Sequence, residues 1–155
     1  MLTRPAGART GRRALLAVAC LGALAVLTSC SGTVTDTVST AAEDSASAIA
    51  TARLATRQDA DGKLTRAATS TALEDALKEV QTSRDTVLRL SPASPEDRQV
   101  REDALKVLDS SAAGLTTARN AVSSDDGGPS LTDGEQALAA AEDALSQLKS
   151  KVGGK

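Results

Sequence analysis

The chain has 155 residues, with 18 Lys and Arg against 20 Asp and Glu, and it contains no His, Phe, Trp or Tyr. Without aromatic rings it cannot bind sugars, bases or quaternary amines by stacking on them, and without His it lacks the usual general base at neutral pH. The acidic excess repels phosphate backbones, so we expect no nucleic-acid partner.

The N-terminal segment has the pattern of a secretory signal. Arg4, Arg9, Arg12 and Arg13 make its start positive, and no acidic residue precedes Asp36. The run from Ala14 to Leu27 is uncharged and apolar, of about 14 residues, which suits a signal-peptide core and is too short for a transmembrane helix. We therefore exclude this segment from fold reasoning.

The run ends at Leu27-Thr28-Ser29-Cys30. This tetrapeptide resembles the lipobox of bacterial lipoproteins, with an aliphatic residue three before the Cys and small residues beside it. The resemblance implies that a diacylglycerol is attached to the Cys30 thiol and that a peptidase cuts between Ser29 and Cys30. The membrane would then be a partner through the covalent lipid, with the protein on the outer, extracytoplasmic face of the cell membrane.

Three alternatives concern the signal. An ordinary signal peptide could be cut elsewhere, although Ala23-Leu24-Ala25 falls too early in the apolar core. Cys20 makes a poorer lipobox because the apolar run before it is short. The pair Arg12-Arg13 leaves export by the twin-arginine route open beside the general route.

The expected organisation is a signal peptide (1–29), a lipidated N-terminus with a short tether (30–33), a helical bundle (34–152) and a tail (153–155). Removing the four signal arginines leaves 14 basic and 20 acidic residues, a net charge of about −6. That charge offers no polybasic patch for anionic lipid, so attachment must come from the acyl chains.

Four segments show apolar residues at spacings of three and four, which predicts helices. The first, Val34 to Arg57, has a weak Ala-rich face, and part of it is expected to be a flexible tether. The second, Leu64 to Leu90, has an apolar face of Leu73, Leu77, Val80, Val87 and Leu88 and ends at the "SPASP" of Ser91 to Pro95.

The third helix is expected to begin with Ser94 as N-cap and Pro95 as its first residue. It ends before the loop Ser123 to Ser130. The fourth is expected to begin with a capping box of Thr132 and Glu135.

A short sequence motif, Glu-Asp followed mostly by Ala-Leu, occurs once in each segment and starts at Glu43, Glu74, Glu102 and Glu142. It indicates either an ancient helical repeat or simply the sequence that any Ala-rich amphipathic helix has.

Long helices with short connections favour antiparallel neighbours. The predicted fold is therefore all-α, an antiparallel three- or four-helix bundle after a cleaved signal peptide. The alternative is an extended coiled-coil dimer, although the apolar faces are wider than a coiled-coil seam.

The segment "RQDADGKLT", Arg57 to Thr65, resembles the calcium loop of an EF-hand at Asp59, Asp61, Gly62 and Leu64. Arg57 stands where the first carboxylate belongs, and Ala68 stands where the bidentate Glu belongs. A turn between two helices needs the same Asp and Gly for backbone reasons. We expect no metal site here.

Catalytic candidates are few, and we expect no enzyme and no cofactor. Hydroxyl nucleophiles need an activating base, and carboxylate di-metal bundles use Glu-x-x-His, which is absent. The adjacent acids at Glu74-Asp75, Glu102-Asp103 and Glu142-Asp143 point about 100° apart on a helix and are expected to be solvated.

The function expected from the sequence is that of a membrane-anchored envelope lipoprotein whose helical domain is an interaction or structural module for an unknown envelope protein. The alternative is a carrier of an apolar or lipid-like ligand within the bundle, since an Ala-rich core could leave a cavity.

Overall fold

Four helices account for most of the chain that the structure describes. The structure, a computed structural model, describes residues 33–124 and 127–153. The helices are α1 (Val34–Ala60), α2 (Arg66–Leu88), α3 (Pro95–Ser123) and α4 (Leu131–Gly153). No strand occurs in these two ranges, so the all-α prediction is confirmed, with four helices rather than three. Cys30, Ser29 and the predicted signal peptide lie outside the described residues.

The first helix is better formed than its sequence suggested. Thr33 is its N-cap, and the Thr33 hydroxyl accepts a hydrogen bond from the backbone N–H of Asp36 while the Asp36 carboxylate accepts from that of Thr33. Val38, Ile49 and Ala52 are completely buried. The expectation of a partly flexible tether is therefore wrong, because a capping box and packing on three other helices outweigh weak helix propensity.

The starts of α3 and α4 give one confirmation and one correction. Ser94 caps α3 by accepting from the backbone N–H of Asp97 at 3.0 Å, with Pro95 next to it, as predicted. For α4 the capping box lies two residues earlier than Thr132 and Glu135. Ser130 and Asp133 form it, and the Ser130 backbone N–H and hydroxyl lower the pKa of the Asp133 carboxylate by donating to it.

Each helix packs against the helices before and after it, and α4 packs against α1, which closes the bundle. Of the two pairs of helices that face each other across the bundle, α1 and α3 are in contact, whereas α2 and α4 are not. We call the α1–α3 direction the short diagonal. Small side chains on the inner faces of α1 and α3 allow this approach. They are Ala41, Ala42, Ser45 and Ala52 on α1 and Ala104, Ser111 and Ala118 on α3.

The core is aliphatic and is completed within the described helices. Its largest side chains are at most 1% exposed and come from all four helices: Ile49, Leu73, Leu108, Leu115, Leu138 and Leu145. Residues 32–155 form one compact unit, and its described part contains this core.

Glycine allows α3 and α4 to approach closely. A Cβ on Gly134 would lie 3.0 Å from the Cα of Ala118, and a Cβ on Gly114 would lie 3.0 Å from the carbonyl oxygen of Ala137. Both distances are shorter than ordinary carbon contacts. The cost of glycine in a helix, about 1 kcal/mol relative to Ala, is therefore accepted at a point of close backbone packing.

Two buried serines on the short diagonal offer a matched test of hydrogen bonding in the core. Both are 0% exposed. The Ser111 hydroxyl donates to the carbonyl of Val107 at 2.9 Å, whereas the Ser45 hydroxyl has no hydrogen-bond partner among the described residues. An unpaired buried hydroxyl costs about 1–3 kcal/mol.

We predict that Ser45→Ala raises the free energy of unfolding by about 1 kcal/mol more than Ser111→Ala does, because only Ser45 loses an unpaired polar group. The gain in helix propensity is the same for both and cancels. Urea unfolding followed by circular dichroism measures the difference. Equal effects of the two substitutions would show that Ser45 is hydrogen-bonded in solution.

Candidate functional site

The proposed lipid-bearing residue lies directly before the bundle. Only Ser31 and Gly32 separate Cys30 from Thr33, the N-cap of α1. A chain extends at most about 3.6 Å per residue, so three residues reach at most about 11 Å. Whatever Cys30 is attached to, the start of α1 must lie close to it.

Ion pairs between helices show which ends of the bundle lie together. Lys149, near the end of α4, pairs with Glu43 in the first part of α1 at 3.3 Å. Lys151 pairs with Asp103, near the start of α3. The start of α1, the connection between α2 and α3, and the end of α4 therefore form one end of the bundle, which we call the proximal end.

At the proximal end, α1 and α3 project to nearly the same height. Helix α1 begins at Val34, nine residues before Glu43, and Glu43 is level with Lys149 of α4. Because Lys151 is level with Asp103 and the helices are antiparallel, Lys149 is level with Leu105, ten residues after Pro95. At about 1.5 Å per residue, the two helix starts are level to within one helical turn.

An apolar surface lies at this end. We call residues 88–95, which end α2 and lead into α3, the α2–α3 tip. Leu88 is 45% exposed there, Ala93 and Pro95 are exposed, and Leu90 and Pro92 are half-buried. Apolar spacing predicts that Leu88 belongs to the apolar inner face of α2, and this prediction is wrong. Val87 takes the last inward position, and the next residue on a helix points about 100° away.

An arginine from α3 holds the tip in place. Arg101 donates from Nε to the carbonyl of Val87 at 3.2 Å and from Nη2 to the carbonyl of Leu88 at 2.6 Å. These carbonyls end α2, which has no basic residue of its own in its last turn. A cation at a helix C-terminus is favourable, so Arg101 both caps α2 and fixes the tip against α3.

The repeated Glu-Asp pairs have a structural role that the sequence did not indicate. One acid of each pair binds a base on a neighbouring helix, while Glu43 and Glu74 remain mostly exposed, as expected of a solvated face. The four contacts are Glu43 with Lys149 at 3.3 Å, Glu74 with Arg119 at 3.9 Å, Asp103 with Lys151, and Glu142 with Arg53 at 2.8 Å. Each lies at a boundary between two helices.

Among these acids, Asp103 has a resolved pKa shift. A hydrogen bond from the Lys151 ammonium is the main cause of its lowered pKa, and partial burial opposes the shift. Gln99 Nε2 also donates to the carboxylate, at 2.9 Å, and Lys106 contributes a nearby positive charge. The shift is explained by packing between α3 and α4.

The calcium-like loop is a helix terminus of a common type. Gly62 has a φ of 68°, in the left-handed region, just after the C-cap Asp61. Its backbone N–H donates to the carbonyl of Asp59 at 2.9 Å, and that of Lys63 donates to the carbonyl of Gln58 at 2.7 Å. This is the Schellman motif, which accounts for Gly62 without a metal. The Lys63 ammonium also binds the Asp61 carboxylate at 3.0 Å.

Two surface cavities are described. One, of about 350 Å³, lies between α3 and α4 and is lined by Lys106, Gln147 and Lys151 among others. The other, of about 410 Å³, lies near the end opposite the proximal end and is lined by Asp59, Arg66 and Ser130 among others. The first cavity reaches Leu148 of the core, whereas the second is lined by the ends of α1 and α3 and by the connections beside them.

None of the four helices in residues 33–124 and 127–153 is long and apolar enough to span a bilayer. No group of three or more potential metal-binding side chains comes together in these ranges.

We predict that Lys151→Gln raises the pKa of Asp103 toward its ordinary value. A carboxylate whose pKa is lowered on folding stabilises the protein above its unfolded pKa, and this stability is lost as the pH falls through its folded pKa. The stability advantage of the wild type over the variant should therefore be present at neutral pH and disappear in acid. NMR titration of the Asp103 carboxyl and urea unfolding across pH measure both effects.

The control for that experiment is Lys149→Gln, two residues earlier on α4, which removes the pair with Glu43 instead. It should leave the titration of Asp103 unchanged. Equal effects of the two substitutions on the Asp103 pKa would mean that general charge, rather than the hydrogen bond from Lys151, causes the shift.

We predict that the loop around Asp59 and Asp61 does not bind calcium usefully, because two ligand positions of the EF-hand pattern are missing and Lys63 already occupies the Asp61 carboxylate. Calorimetric titration with calcium should give no saturable heat. Lys63→Ala is the matched variant, and calcium binding by the wild type that Lys63→Ala strengthens would contradict this interpretation.

In comparisons with known proteins, no family model, no curated protein and no solved structure matches the chain. Its function is therefore inferred from its own features. These are the lipobox-like motif at Cys30, the capped helix that follows it and the apolar tip at the same end of the bundle.

Proposed function

We propose that this protein is a lipid-anchored protein of the cell envelope, held by acyl chains on Cys30 at the outer face of the membrane, with the four-helix bundle as an interaction or structural module. The observation that carries the proposal is the sequence Leu27-Thr28-Ser29-Cys30 after a positive start and an apolar core. The capped start of α1 at Thr33 supports it, because a folded domain begins immediately after the proposed cleavage site.

The chemistry of the described residues supports a module rather than an enzyme. The chain has no His, and the carboxylates that stood out in the sequence are used in contacts between helices. We therefore propose a role in binding or in envelope structure, with a protein partner that binds the exposed sides or the far end of the bundle.

Acyl chains account for stable attachment in this proposal. Burial of an acyl chain contributes about 0.8 kcal/mol per CH₂ group, and two chains hold a protein stably where one is marginal. The net charge of about −6 after the signal gives no attraction to anionic lipid. Lipidation of Cys30 is thus the step on which location depends.

We predict that Cys30→Ala abolishes lipidation and releases or mislocalises the protein while the bundle stays folded, because the described core is built from residues of the four helices. The measurement is fractionation of cells supplied with a labelled fatty acid. Cys20→Ala is the matched control, since Cys20 belongs to the segment that is removed, and it should keep both the label and the membrane location.

Absence of label on the wild type would refute the proposal, as would a Cys30→Ala protein that stays in the membrane with its signal removed. An uncleaved variant can remain attached through the apolar segment Ala14 to Leu27. The mass of the N-terminus distinguishes that case from true retention.

A further inference from the structure

We propose that the α2–α3 tip is a second, non-covalent membrane contact, which enters the headgroup region of the bilayer and holds the bundle upright on it. The proposal rests on the proposed lipidation of Cys30, which brings the proximal end to the membrane. The tip does not replace the lipid. It orients a domain that is already attached.

The first observation is the composition of the tip. Leu88, at 45% exposure, is one of two large apolar side chains that are exposed among the described residues. From Leu90 to Pro95 the chain carries no charge. Leu88, Ala93 and Pro95 therefore give one helix connection an exposed, largely apolar surface, and adjoining apolar residues on a surface are a mark of protein or membrane contacts.

The second observation is the position of the tip. It lies at the proximal end, where α3 begins level with α1 to within one helical turn. Only Ser31 and Gly32 separate Cys30 from Thr33, so three residue steps limit the distance from the lipid attachment to the start of α1 to about 11 Å. A bundle attached by so short a connection cannot hold its proximal end far from the headgroups.

The third observation is that the tip is already rigid. Arg101 binds the carbonyls of Val87 and Leu88, and the backbone N–H of Leu90 donates to Val87 at 3.2 Å. Ser94 caps α3 on the other side of the connection. Because these backbone groups are satisfied within the protein, the tip can enter a less polar environment without unpaired hydrogen-bonding groups at these positions.

Charge favours an upright orientation over a bundle lying on its side. Arg89 and Arg98 balance Glu96 and Asp97, so residues 88–98 have no net charge, whereas the chain from Cys30 onward has a net charge of about −6. An acidic side surface is repelled by anionic lipid, whereas the tip, whose one charged residue is Arg89, is not. Apolar residues flanked by arginines are also the usual composition of interfacial membrane contacts.

The other exposed leucine provides the control. Leu54 is 56% exposed but lies 20 residues into α1. At about 1.5 Å per residue it is about 30 Å from the start of that helix. An upright bundle keeps Leu54 in water and places Leu88 at the bilayer.

The chain has no aromatic residue, so a single introduced Trp is the only fluorophore and its emission reports one position. Residues 30–155 are prepared with Cys30 as the only cysteine and coupled through its thiol to a maleimide lipid in phosphatidylcholine vesicles that contain some phosphatidylglycerol. Leu88→Trp reports the tip and Leu54→Trp reports the side. Ala93→Trp is a second tip reporter, and circular dichroism checks that each variant keeps the bundle.

We expect the Leu88→Trp emission to shift to the blue on tethering and to lose most of its intensity in vesicles with brominated acyl chains. Leu54→Trp should show neither change, and untethered protein should not bind the vesicles. Emission typical of water from both tip reporters would overturn the proposal and leave the tip as a surface for a protein partner. Equal quenching of Leu54→Trp and Leu88→Trp would also overturn it, because the bundle would then lie flat.

The chemical tether separates this test from that of lipidation. Attachment to the vesicle does not depend on whether cells modify Cys30. A wild type without fatty-acid label would refute the proposed function, whereas an unquenched tip on tethered vesicles would refute only the membrane contact.

Discussion

The absence of aromatic side chains is the constraint on which the rest of the structure depends. Aromatic residues usually supply much of the apolar area of a core. Here no core side chain is larger than Leu or Ile, and many positions are Ala or Ser. Four long helices can exclude water with such small side chains only if their backbones come close together.

That requirement explains the shape of the bundle. The small inner faces of α1 and α3 bring these helices into contact across the centre, and Gly114 and Gly134 let α3 and α4 approach until a single methyl group would crowd the neighbouring backbone. The same closeness leaves the Ser45 hydroxyl buried without a hydrogen bond. Dense packing therefore carries a cost in the unpaired hydroxyl of Ser45 and in helix propensity at Gly114 and Gly134.

Charged residues at the helix boundaries complement this packing. An aliphatic core of similar small residues specifies poorly which helix lies beside which and at what height. Ion pairs such as Glu43 with Lys149 and Glu142 with Arg53 join particular positions of α1 and α4. Each exposed pair is worth little in stability, about 0–1 kcal/mol, so their main contribution is to register. That register brings the α2–α3 tip level with the start of α1.

The sequence by itself determined where the helices lie in the chain, and it alone supports the proposed location of the protein at the membrane. Apolar spacing predicted four helical segments, Ser94 and Pro95 predicted the start of α3, and the proposal for Cys30 comes from local motif alone. These features are local, because helix periodicity, capping and a peptidase motif each depend on neighbours within a few residues. The loop at Gly62 was likewise predicted to be a turn for backbone reasons, and its φ of 68° agrees.

The tertiary structure decided the features that depend on distant partners. Two candidate capping boxes overlap at the start of α4, and only the packed helix selects Ser130 with Asp133 over Thr132 with Glu135, whose carboxylate binds Arg57 of α1 instead. The weak first helix is ordered because three other helices cover its inner face. Leu88 fits the apolar pattern of α2 but is exposed, because α2 ends there and no neighbouring side chain covers that direction. Spacing along a helix specifies which residues share a face, and only the assembled bundle specifies which of them are covered.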